Sequence, residues 1–218
     1  LGRGDARALR LICTPALAQA LLPMALQRWR ERFPRTACQL ATQHTVEIVE
    51  ALLLREADLG LTLQAVEHPG LCSRMLTEGR MRVIAPPGCW AQEDLHTPVR
   101  LQALAGRALI GLDTRDALGS LLRGHLEELD PPPRVVTWVQ TYQLARQLVS
   151  AGQGVALVDP FTALATDGGE VQTRLLEPAI SVPLYALTRV HEQPLPAQAM
   201  LLDALGEQAA RLLQAEHA

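Results

Sequence analysis

Apolar residues in this chain fall into two kinds of stretch: short continuous runs, and longer segments in which they return every third or fourth position. The first run is ALRLIC, residues 8–13, closed by Thr14 and Pro15. Beyond it Leu17, Leu21, Met24, Ala25 and Trp29 recur at helical spacing as far as Arg32, which predicts a strand followed by one helix. Thr14 suits the cap of that helix and Pro15 its first turn. Phe33-Pro34 ends it, because proline pushes the preceding residue out of the α region. Residues 37–41 (ACQLA) then read as a second strand. A second helix begins near Thr45, carries Val46, Val49, Leu52 and Leu53 on one face, and gives way at Ala57 to the strand DLGLTL. The order β-α-β-α-β implies parallel strands joined by right-handed crossovers.

Residues 75–84 predict a further extended segment or pair, ending at the break Ala85-Pro86-Pro87-Gly88. After it come a strand at 106–112 (GRALIGL), a helix at 116–129, a rigid stop at the triple proline 131–133, and a strand at 134–139. Thr141 opens a helix with Leu144, Leu148 and Val149 on its apolar face, stopped by Gly152 and followed by a buried strand at 154–158. A late strand at 184–190 and a final helix at 197–216, bearing Leu201, Leu205, Ala209 and Leu212, complete the chain. Residues 1–7 (LGRGDAR) have the composition of a linker end. Two βαβ-containing stretches separated by a proline break predict a two-lobed α/β architecture. The expected first lobe is 8–85 with 185–218, and the second is 86–184.

Composition narrows the function classes. Of 218 residues 48% are apolar and 20% charged, enough to bury a core. The net charge is −3, and basic residues are scattered singly, as in Arg28, Arg30, Arg32 and Arg35. A domain that holds nucleic acid by itself normally shows a basic face, so direct DNA binding by these residues is not expected. Cys13, Cys38, Cys72 and Cys89 lack CxxC spacing and predict buried, reduced thiols in a cytoplasmic protein. No signal peptide opens the chain, and no apolar run approaches the ~20 residues that cross a bilayer, so no membrane association is expected.

The candidate chemistry lies at a repeated junction. At four places an apolar strand runs into a threonine at a helix opening: Thr14, the turn Thr42 to Thr45, Thr114 and Thr141. In open α/β sheets ligands bind beyond the carboxyl ends of strands, where helix N-termini offer unpaired N–H groups and partial positive charge. A hydroxyl there either caps the helix or donates to a ligand such as a carboxylate. Gln43 and His44 lie in the second junction and add polar groups. An enzyme is not expected: GxSxG, a P-loop, HExxH and a GxGxxG with its acidic partner are all missing. The six histidines have no metal-like spacing, so neither a metal nor a cofactor is expected.

Three segments carry a family likeness. LRLICTPALAQALLPMALQRWRERFP, EIVEALLLREADLGLTL and LARQLVSAGQGVALVDPFTAL resemble, in order and spacing, landmarks of the effector-binding domain of LysR-type transcription regulators. The resemblance implies a type 2 periplasmic-binding-protein-like fold of two Rossmann-like lobes, crossed near 85–87 and 181–184. It implies an effector bound in the interlobe cleft at Thr14, Thr42, Gln43, His44, Thr45, Thr114 and Thr141. It further implies a homo-oligomer, dimer or tetramer, and DNA binding through a winged helix-turn-helix upstream of these residues. VDPFTAL and EPAISVPLYALTRV resemble the subgroup sensing amino acids, diaminopimelate or opines. That points to a ligand with a carboxylate and an amine, the amine meeting an acid such as Asp113 or Asp159. Asp159 and Phe161 alternatively shape the strand end. A solute-binding protein of the same fold, serving a transporter, is the alternative.

Overall fold

The computed structural model describes residues 8–113, 117–165 and 170–214. The chain packs as two compact units, one drawn from the chain up to Thr77 and again from Pro183 onward, the other from Glu78–Val182.

The first unit begins with β1 (Leu9–Cys13), α1 (Ala16–Ala20), α2 (Leu22–Arg32), β2 (Cys38–Thr42), α3 (Thr45–Leu53), β3 (Leu59–Thr62) and β4 (Leu71–Arg80), and returns with β11 (Ser181–Arg189) and α7 (Pro196–Gln214). Its five-stranded sheet has the order β2-β1-β3-β11-β4. β1 lies parallel to both β2 and β3, while β11 runs antiparallel to β3. Leu11, Leu17, Ile48, Leu52 and Leu61 are fully buried, but the buried faces of two helices are not the expected ones. α3 buries Ile48, Ala51 and Leu52 while Val46 and Leu53 are exposed, and the helix opened by Thr141 buries Tyr142, Ala145 and Val149 while Leu144 is exposed. Trp29 of α2 is buried too, and its Nε1 donates to the Ala197 carbonyl of α7 at 2.8 Å.

Gly60 in the DLGLTL strand has a steric reason. A Cβ there would lie 2.8 Å from Ile48 Cγ2 and 2.9 Å from Leu52 Cδ1, so glycine lets α3 press against β3. Arg10 secures the same region: its Nε and Nη2 donate to Asp58 at 3.1 and 2.7 Å.

The second unit contains β5 (Arg82–Ala85), β6 (Val99–Arg100), β7 (Ala108–Leu112), α4 (Ala117–Glu127), β8 (Arg134–Val139), α5 (Tyr142–Ser150), β9 (Val155–Val158), α6 (Pro160–Ala163) and β10 (Gln172–Glu177). Its six-stranded sheet runs β6-β10-β5-β9-β7-β8. β7 is parallel to β8 and β9, and β5 is antiparallel to β9 and β10. The AGQG turn after α5 uses both glycines. Gly152 takes φ +79, and at Gly154 (φ +148) a Cβ would stand 2.7 Å from the Ala108 carbonyl oxygen.

Four other expectations change. The single helix at 16–32 is two, broken at Leu21, because Pro23 has no N–H for a continuing ladder and its ring would crowd the carbonyl four residues earlier. Residues 78–85, assigned from sequence to the first lobe, lie in the second unit, because β5 hydrogen-bonds to β9 and β10. Thr14 does not cap its helix; Pro15 occupies the cap position and no side chain bonds the first turn. Of the four cysteines only Cys13 is buried; Cys38 is half-buried, and Cys72 and Cys89 are exposed.

Candidate functional site

The two candidate junctions of the first unit are neighbours. Cys13 and Thr42 are in register across the β1/β2 pair, and the Gln43 amide donates to the Cys13 carbonyl at 3.0 Å. The openings of α1 and α3 therefore share one end of the sheet, the carboxyl end of its parallel strands. The Thr14 amide donates to the Leu61 carbonyl at 3.0 Å, and its carbonyl accepts from Leu17 at 3.1 Å. Its hydroxyl is buried without a hydrogen-bond partner.

Thr42 and Gln43 are exposed, and His44 and Thr45 half-buried. His44 stands at the cap position of α3 in extended backbone, yet its side chain bonds none of the opening amides. The partial positive charge at this helix end is thus answered within its first turn only by Glu47.

In the second unit the ends of β7 and β8 meet where the Asp113 amide donates to the Val139 carbonyl at 2.8 Å. Asp113 lines a hollow of about 420 Å³ with Arg123, Trp138, Val139 and Gln140, and the Arg123 guanidinium lies 5.5 Å from the Trp138 ring centroid. Thr114 lies outside the described residues. Thr141 caps α5, its hydroxyl oxygen accepting from the Leu144 amide at 3.2 Å. That leaves the hydroxyl proton for a second bond.

Asp159 caps α6: its Oδ1 accepts from the amides of Phe161 and Thr162 at 2.9 and 3.0 Å. The residue is 0% exposed. Burial pushes its carboxyl up to about 6, against the pull of hydrogen bonds from Thr162 and Phe161. Arg146 clamps the other end of this short helix, donating to the carbonyls of Ala163 and Ala165 at 3.3 and 2.6 Å. Asp159 therefore has a structural role at the strand end.

Gln143, which sequence reasoning missed, is half-buried, and both ends of its carboxamide are shut off from water without a partner. No periodicity marks such a residue, because an orphaned group depends on what its tertiary neighbours fail to supply. Burial pushes the Cys13 thiol up to about 12, which makes it a poor nucleophile at neutral pH. Among the described residues no group of His, Cys, Asp and Glu is placed to hold a metal, and no helix is long and apolar enough to cross a membrane.

The comparisons with known proteins agree with one another. HTH-type transcriptional regulator DgcR of a Pseudoalteromonas species is 26% identical over 179 residues, covering 82% of this chain and 61% of that protein. Regulatory protein NocR of Agrobacterium tumefaciens (strain T37) is 29% identical over 203 residues, 90% of this chain and 66% of NocR. The chain thus spans less than two thirds of these relatives' lengths. The BenM effector binding domain with its effector benzoate superposes with a TM-score of 0.77 at 20% identity, covering 94% of this chain and 92% of that one. The fold is accordingly the type 2 periplasmic-binding-protein-like one, and it serves binding, not catalysis. Residues 2–210 match the model of the LysR substrate binding domain, and the chain belongs to that family.

Proposed function

We propose that this chain is the effector-sensing domain of a cytoplasmic, LysR-type DNA-binding transcription regulator, and that its effector is a small amino-acid-like metabolite bearing a carboxylate. The residues proposed to hold the effector are Thr14, Thr42, Gln43, His44 and Thr45 in the first unit, and Thr141 and Thr114 in the second. The carboxylate pairs with hydroxyls and helix-opening amides, Asp113 meets the amine, and Asp159 shapes the strand end by capping α6.

The observation that carries the reading is the shared sheet end of β1 and β2. There an orphaned Thr14 hydroxyl stands beside a helix opening that no side chain caps. Two uncapped helix openings with a buried, unbonded donor suit an anion. Benzoate, the effector named for BenM, is itself a carboxylate.

Promoter binding, in this proposal, belongs to a helix-turn-helix outside these residues, and regulation passes through self-association. Each unit has an edge strand with apolar side chains in solvent: Leu40 of β2 is 49% exposed, and Trp138 of β8 is 54% exposed. The test is a thermal-shift screen against amino acids, opines and small carboxylates. A ligand that binds only the native state must raise the apparent midpoint. A panel in which none of these compounds moves it would remove the amino-acid-like effector.

A further inference from the structure

We propose that the side-chain amide of Gln143 is a specificity-setting group of the effector site, selecting a ligand group that accepts and donates hydrogen bonds together, as an α-amino acid or a carboxamide does. The inference rests on the effector-binding reading above and adds a residue to it. A glutamine amide carries two N–H donors and an acceptor oxygen, and buried groups of this kind are almost always bonded. At Gln143 both Nε2 and Oε1 are enclosed and neither has a partner.

Two polar neighbours on α5 have hydrogen-bond partners inside the chain. Thr141, two residues earlier, bonds the Leu144 amide through its hydroxyl oxygen. Arg146, one turn later and on the same side of the helix, reaches the carbonyls of Ala163 and Ala165. Tyr142, Ala145 and Val149 of the same helix are buried in the core. An apolar side chain of glutamine's length would fill the position without stranding an amide. Gln143 is nonetheless only half-buried, so its side chain lies near the surface, where a turn of the enclosed amide meets a molecule arriving from outside. A partner from outside the chain, either ligand or ordered water, completes it.

The test compares the 218-residue chain with Gln143→Met, which keeps the length and removes both polar ends, and with Gln143→Glu, which keeps acceptors and loses donors. The probes are the common L-amino acids, L-ornithine and benzoate, and titration calorimetry uses the one that gives the largest thermal shift. Gln143→Met is expected to lose about tenfold or more in affinity while its ligand-free midpoint holds or rises. Gln143→Glu is expected to weaken binding of a carboxylate-bearing probe further, by repulsion. A Gln143→Met protein that binds within about twofold of the parent overturns the proposal. So does a fall in its ligand-free midpoint, which would mean that water or an internal partner holds the amide for stability. If no probe shifts the parent, the effector reading fails for these ligands and the role of Gln143, which rests on it, fails with it; binding by the parent that Gln143→Met leaves intact ends the role of Gln143 alone.

Discussion

Threonines that look alike in the sequence have unlike duties. Thr141 caps α5, so Thr141→Ala removes a cap and should cost about 1 kcal/mol of stability as well as weakening effector binding. The Thr14 hydroxyl bonds nothing, so Thr14→Ala should leave stability unchanged or slightly raised and weaken binding alone. Denaturant titration beside calorimetry separates the two, and equal stability losses would contradict the assignment. Asp159 makes a second prediction. Its carboxyl is raised to about 6 in the fold against 3.8 for a free one, so the folded state holds the proton more tightly. Its contribution to stability is complete below 3.8 and is lost as pH rises through about 6, a swing of up to about 3 kcal/mol. Asp159→Asn keeps an oxygen for the two amides and removes the titration. The stability advantage of the variant over the parent should therefore shrink between pH 7 and pH 5 in urea titrations. An advantage that is constant with pH would refute the shift.

Among the elements, legibility followed the strength of the local pattern. Parallel strands and their helices show as apolar runs and 3.6-residue spacing, and β1, α3, β8, α5 and β9 begin and end close to where the sequence marks them. Pro23 was visible but overridden, since the apolar spacing runs straight across it. β10 (QTRLLE) and the two-residue β6 have no alternation to read, because edge and near-edge strands take their place from partners. α6 is four residues long, too short for periodicity, although Asp159-Pro160 is a helix-opening signature. The family's DLGL and AGxG patterns find a cause in close approach. Gly60→Ala, which sets a methyl against Ile48 and Leu52, should cost about 1–3 kcal/mol and lower the thermal midpoint. Restoration of the midpoint by Leu52→Val would trace the loss to that crowding, and an unchanged midpoint in the single variant would show that α3 can yield.

At the level of the whole molecule, the division into lobes was foreseeable from the proline break, but the place of the first crossing was not. β4 runs across the boundary between Thr77 and Glu78, so no loop composition marks it. The sequence marks candidate junctions; which helix openings lack a cap, and which polar atoms are orphaned, follows from packing alone. Saturation with effector at a hundred times its dissociation constant should stabilise the native chain by about 2.7 kcal/mol. The two crossings also set an order of assembly. The second unit is one unbroken stretch of sequence, whereas the sheet of the first waits for β11 to slide between β3 and β4, and Trp29 waits for Ala197. A chain emerging from the ribosome would finish its middle before its beginning, leaving the edge of β3 that β11 pairs with in need of shelter until that strand arrives.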